Sequence, residues 1–192
     1  MRSPILLLAA LMLAGCGSSP KTHYFTLSRV PRGQEQTASI GAPVTVAAVH
    51  VPQSLDRSEM VRATGDNTVE ISDQERWTAP LGEMARRVLS EDLAERLPRD
   101  KVVLPDAPAP PQTAQIVVSL AEFGADPGGK VALAGSWSLL EGERGKPLLR
   151  RDVSLQTAAK GPGASGDAAA MSELLGELAS NIAKALAEHH RA

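Results

Sequence analysis

The stretch KVALAGSWSLLEG, Lys130 to Gly142, decides the fold. Its residues alternate in size: Val131, Leu133, Gly135, Trp137 and Leu139 fall on one side of an extended chain, and Ala132, Ala134, Ser136 and Ser138 on the other. Side chains of a strand point to opposite faces in turn, so a large/small split marks a sheet covered on one side only. The flanking runs AQIVVSLAEFGA (114–125) and PLLRRDVSLQTAA (147–159) are also strand-like, and the segments between them, DPGG and EGERGK, are rich in turn formers. Together they predict an antiparallel meander of three strands.

A sheet covered on one face needs helices to cover it, and two segments have the right period. Leu81, Met84, Ala85, Val88, Leu89, Leu93 and Leu97 form one helical stripe, with Arg86, Arg87, Glu91 and Glu95 largely elsewhere. This predicts a helix of about 17 residues, with Thr78 as N-cap, Pro80 in the first turn and Pro98 closing it. The second stripe is Met171, Leu174, Leu175, Leu178, Ile182 and Leu186, behind a loop KGPGASG and a capping Asp167. His189, His190 and Arg191 end it, where positive charge suits the helix dipole.

Upstream, HYFTLSRV (23–30) reads as a first strand, and the polar segment 31–43 as a loop. VTVAAVHV (44–51) is rich in β-branched residues and reads as an interior strand. MVRAT and TVEIS flank the turn GDN (65–67) and predict a hairpin. KVVL (101–104) is a short apolar run, and PDAPAPPQT (105–113) an extended surface connection. The fold class is therefore α+β: a mostly antiparallel mixed sheet with two helices packed on one face.

The chain has 192 residues with 20 basic against 22 acidic, a formal charge of -2, so no global cationic field points to nucleic acid. The catalytic spacings of the common hydrolases, zinc peptidases, phosphate-binding loops and dinucleotide sites are absent. His50, at a strand end, is the one candidate base, without a recognisable nucleophile beside it. No cofactor is implied, and no cluster has metal-ligand spacing.

The single cysteine, Cys16, excludes an internal disulfide. Arg2 precedes the apolar run PILLLAALMLA (4–14), which has the layout of an export signal and is short for a membrane-spanning helix, for which ~20 residues are needed. The run ends in Leu13-Ala14-Gly15-Cys16, which resembles the bacterial lipoprotein box. Residues 1–15 then read as a signal peptide, 16–22 as a lipidated tether and 23–192 as a single periplasmic domain. Acylation at Cys16 with two or three chains gives an effectively permanent anchor, where one chain alone binds marginally. In the lipoprotein sorting pattern that this resembles, an aspartate directly after the cysteine favours inner-membrane retention; Gly17 and Ser18 stand here instead, and the resemblance then implies the outer membrane, periplasmic face.

VPQSLDRSEMVRA (51–63) and RWTAPLGEMARRVLSEDL (76–93), with YFTL (24–27) soon after the cysteine, resemble the ABC-type transport auxiliary lipoprotein family. The resemblance is most specific at Tyr24–Leu27, at Leu55, Asp56 and Arg57, and at Arg76 and Trp77 followed by Pro80 and Leu81. It departs from the pattern at Ser54, where an aromatic is expected, and at Ser58, in place of a proline. The resemblance implies an accessory or docking component of a Pqi-like intermembrane lipid transport system, not an enzyme. Its implied partners are the membrane, an MCE-domain protein and further copies of itself in a homo-oligomeric ring. A tethered periplasmic hydrolase, a small-ligand-binding lipoprotein and an outer-membrane assembly lipoprotein are the alternatives.

Asp56 and Arg57 read either as a loop-fixing ion pair with Arg76 or Glu75 or as partner contacts, the first being favoured. Trp77 reads as core beside Leu81 and Met84, or as an interfacial anchor. Arg86 and Arg87 read as a solvated helix face, or as contacts to lipid headgroups.

Overall fold

The computed structural model describes residues 20–31, 40–142 and 145–191. Cys16, the signal segment 1–15 and the first part of the tether lie outside the described residues.

Chain order is β1 (His23–Phe25), β2 (Val44–His50), β3 (Glu59–Gly65), β4 (Thr68–Trp77), α1 (Leu81–Ala94), a 3-10 turn (Arg99–Lys101), β5 (Val102–Val103), β6 (Ala114–Ala125), β7 (Lys130–Glu141), β8 (Lys146–Ala158) and α2 (Gly163–Arg191). The predicted meander is present as β6, β7 and β8, antiparallel throughout. Val131, Leu133, Trp137 and Leu139 of β7 are buried beneath the helices, and the small residues of the opposite face are half-buried.

The fold is α+β with two helices, and its strands divide into two sheets. A five-stranded sheet has the order β5-β2-β6-β7-β8, and a three-stranded sheet the order β1-β4-β3. Both are mixed: β2 runs parallel to β5 and β6, and β1 runs parallel to β4. The hairpin β3–β4 is antiparallel, as predicted around residues 65–67.

Parallel pairing of β2 with β6 sets the layout. The chain between them must return from the end of β2 to the start of β6, and α1 makes that return. Both helices therefore start at one end of the sheet, which also carries the β6–β7 turn and the hairpin tip. A cleft there brings together Arg62 and Thr64 of the hairpin, Asp126 and Pro127 of the turn and Gly161 before α2. At the far end, His190 near the end of α2 lies beside Gly41, ahead of β2.

Several local expectations change. β1 ends at Phe25 rather than Val30, because the following residues leave the sheet and cross the helices. α1 spans 14 residues, and Leu97 stays buried beyond it. Pro80, not Thr78, occupies the N-cap position; the Thr78 hydroxyl instead lies 3.5 Å from the Met84 sulfur. α2 starts at Gly163, so Asp167 lies inside it, and its carboxylate is drawn sideways to Arg62 at 2.6 Å.

Gly135 explains the gap in the large-residue row of β7. A Cβ there would run into the Ser119 carbonyl oxygen of β6 and come within 2.8 Å of Leu120 Cα, next to the irregularity between Leu120 and Glu122. Backbone is the obstacle, so no rotamer change relieves it. Gly135→Ala is expected to lower unfolding free energy by about 1–3 kcal/mol. Gly124→Ala, where nothing lies within 4 Å of the added carbon, serves as the control in the same sheet. Urea midpoints of the two variants against the parent check this.

Candidate functional site

Residues Leu55, Asp56, Arg57, Arg76 and Trp77 come together at one joint, where the β2–β3 loop meets β4 and the start of α1. Pro52 stops β2, and its carbonyl accepts the backbone N–H groups of Leu55 (2.8 Å) and Asp56 (3.2 Å), closing a tight turn. That turn aims the Asp56 carboxylate at α1, where Oδ1 accepts the Gly82 backbone N–H at 3.2 Å. The first N–H groups of a helix have no partner within it, and an acidic oxygen there also meets the favourable end of the dipole. Asp56 thus caps α1 from 26 residues upstream. Gly82 permits this approach, since a Cβ would sit 2.8 Å from the Val49 carbonyl oxygen.

The ion pairs differ from both expected partners. Glu59 lies between the two arginines: Arg57 Nε is 3.0 Å from one carboxylate oxygen and Arg76 Nη1 is 3.6 Å from the other. The Arg57 hydrogen bond is the main reason the Glu59 carboxyl is held below its ordinary value. Glu59 and Arg76 are cross-strand partners in β3 and β4, so strand pairing brings them together. Neither Asp56 nor Glu75 takes part. Trp77 is 5% exposed and shares a tight cluster with Leu55, Met60, Leu81, Phe123 and Met171, which decides for the core role.

Arg86 binds Glu83 at 3.1 Å and Asp106 at 3.4 Å, and Arg87 binds Glu91 at 2.8 Å while donating to the Leu27 carbonyl at 3.3 Å. These arginines line a cleft of 350 Å³ between α1 and the Leu104–Asp106 loop, with their charges already matched. His50 is exposed at the end of β2. Among the described residues, no group of three or more His, Cys, Asp or Glu side chains converges as a metal site. No helix among them is long and apolar enough to cross a membrane.

A second constellation escaped sequence reading. After β1 the chain runs as a strap between the two helices: Leu27 is buried, the Ser28 N–H donates to Ser172 Oγ of α2 (3.1 Å), and the Val30 N–H donates to Asp92 Oδ1 of α1 (2.9 Å). Arg29 adds an exposed pair with Glu95. Asp92 is fully buried beside Arg96, whose guanidinium binds the Asp92 backbone carbonyl (2.7 Å), the Asp92 carboxylate (3.3 Å) and Ser180 Oγ (2.9 Å). The other carboxylate oxygen, Oδ2, is buried without a hydrogen-bond partner among the described residues. The sequence carries a signal for it: Asp92 lies four residues after Val88 and seven after Ala85, within the apolar stripe of α1, so an acid there is turned inward with the stripe, and Arg96 follows one turn on.

Burial raises the Asp92 carboxyl to about 6, against the opposing pull of the Val30 N–H and Arg96. A carboxyl raised by folding binds its proton more tightly in the native state, so stability falls as pH rises from the unfolded value of 3.8 through the folded one. Between pH 5 and 7 this group costs the parent about 1 kcal/mol. Asp92→Asn is expected to remove that share of the pH dependence, so that its stability relative to the parent improves from pH 5 to pH 7; urea titrations at both values measure it. Asp56→Ala is expected to cost about 1 kcal/mol through the lost cap, and Asp56→Asn much less, in the same titrations.

Residues 25–183 match the family described as ABC-type transport auxiliary lipoprotein component. Intermembrane transport lipoprotein PqiC of Escherichia coli (strain K12) is 32% identical over 141 residues, covering 72% of this chain and 74% of PqiC. PqiC of Shigella flexneri matches equally. Among solved structures, an uncharacterized protein superposes with a TM-score of 0.72 at 21% identity, over 87% of this chain and 99% of its own. A protein from Xanthomonas campestris gives 0.65 at 12%, over 89% and 97%. These two structures share the fold. With the family match spanning the strap, the capping joint, β2 to β8, α1 and most of α2, the chain belongs to the ABC-type transport auxiliary lipoprotein family.

Proposed function

We propose that this protein is a periplasmic lipoprotein held at the outer membrane by acyl chains on Cys16, and that it serves as the docking component of a Pqi-like intermembrane lipid transport system. Its partner in this reading is an MCE-domain protein, and its working form a homo-oligomeric ring. The observation that carries the reading is the continuity of Leu13-Ala14-Gly15-Cys16 with a family domain that starts nine residues after the cysteine. So short a connection keeps the folded body within a few nanometres of the lipid surface.

The strap supports the same reading. The first folded residues are bound along both helices, so the tether joins the rigid body directly rather than through a long flexible lead. A protein of this build acts by where it stands and what it holds. The charged joint at Arg57, Glu59 and Arg76, with Tyr24 65% exposed in register with Arg76, lies on the surface of the three-stranded sheet and offers a polar-aromatic contact.

Cys16→Ser is expected to leave the domain folded and to release it from the membrane fraction into the soluble periplasmic fraction. Retention after a carbonate wash contradicts the anchor. Crosslinking of the parent protein in intact envelopes, followed by affinity capture, is expected to recover an MCE-domain protein; recovery only of outer-membrane assembly factors contradicts the transport role.

A further inference from the structure

The direction of β1 fixes which end of the domain faces its anchor. β1 runs parallel to β4, with His23, Tyr24 and Phe25 opposite Glu75, Arg76 and Trp77. The strap then proceeds along the helices away from β1, from Leu27 beside Arg87, through Ser28 at Ser172, to Val30 at Asp92. The tether therefore leaves from the end where α1 and α2 begin.

The β3–β4 hairpin projects from that same end. Level with Tyr24, Glu59 pairs with Arg76; the hairpin then continues for six residues of β3 to Gly65, about 20 Å of strand. The tether, Cys16 to residue 22, is seven residues long and spans at most about 25 Å. The two lengths are comparable, so an extended tether brings the hairpin tip to the surface in which the acyl chains sit.

The hairpin also has an unusual outer face. Arg62 and Glu70 share the inner face, where Arg62 is clamped by Asp167. The opposite face pairs Val61 with Ile71 and Ala63 with Val69, all apolar, leaving Val69 60% and Ile71 43% exposed. Val61 and Ala63 are half-buried, so the exposed part of this face is the neighbouring pair Val69 and Ile71 on β4, a small apolar patch backed by apolar partners.

We infer that the outer face of the β3–β4 hairpin rests on the lipid surface that holds the Cys16 anchor, inserting Val69 and Ile71 among the acyl chains as a second membrane contact. This rests on the lipid-anchor reading above. Asp66, Glu70 and Asp73 on the same strand pair argue against attraction to anionic headgroups. The contact is apolar, weak on its own, and made effective by the tether, which holds the face close to the bilayer. With both contacts made, the domain cannot swing freely, and its far end, near Gly41 and His190, points away from the membrane.

Because acylation consumes Cys16, an introduced cysteine is the only free thiol. Ile71→Cys, Val69→Cys and, at the far end of β7, Glu141→Cys are labelled with an environment-sensitive nitrobenzoxadiazole probe in the full lipidated chain. Each is reconstituted into phosphatidylethanolamine/phosphatidylcholine vesicles with or without doxyl-labelled lipid. The chain is expected to float with the vesicles, and doxyl lipid to quench the probes at 69 and 71 at least about two-fold more than the probe at 141. Flotation with equal quenching at all three positions overturns the hairpin contact and leaves the anchor standing. Shielding of 69 and 71 from iodide without doxyl quenching assigns the face to protein, and also overturns it. Failure of the chain to float overturns the anchor reading and the hairpin contact together.

Discussion

Parallel pairing of β2 with β6, in the middle of the five-stranded sheet, is the constraint from which the rest of the molecule follows. Two parallel neighbours cannot be joined by a tight turn, so the intervening chain has to travel back along the sheet. α1 supplies that return, and the β3–β4 hairpin is an excursion made before it begins. Because β8 ends at the same edge of the molecule as β2, α2 starts beside α1, and the two helices lie side by side with a groove between them. The strap fills that groove.

The same constraint explains why the family's most specific residues are gathered at one joint. A returning helix must start cleanly at the end of β2, with its first N–H groups satisfied and little room for side chains. Asp56 supplies the acceptor, Gly82 the clearance and Trp77 the apolar wedge between the sheets. Arg57, Glu59 and Arg76 hold the loop to the three-stranded sheet at its solvent edge. Sequence resemblance picks out this joint because small departures there would misplace α1 and, with it, the floor of the groove.

Much of this was legible in the residues. The meander, the hairpin and both helices follow from period and turn chemistry, which are local. What was not legible is long-range. A three-residue strand such as β1 carries no period of its own, so its parallel partner could not be named, and the division into two sheets went unseen. The Thr78 cap was expected because capping is usually local; the acceptor came from Asp56, across a loop. Asp167 satisfied the rule for an N-cap but was taken by Arg62, also from a distant strand. Asp92 falls inside the apolar stripe of residues 81–97, four residues after Val88, so its burial was legible there; the groups that meet it and Arg96, the Val30 N–H and the Ser180 hydroxyl, come from distant segments and were not.

The polarity of β1 has a mechanical consequence. In the function proposed here, a domain held by its tether and bound to a partner elsewhere carries load through its first residues, and that load acts along the strand, toward its amino-terminal end. In a parallel pair pulled this way, the hydrogen bonds between His23–Phe25 and Glu75–Trp77 are strained together in shear rather than opened one after another. Behind them, Leu27 and the Ser28 and Val30 amides must slide along the helix groove before the chain can lengthen. The attachment therefore resists a pull on the tether through several hydrogen bonds loaded together rather than one at a time.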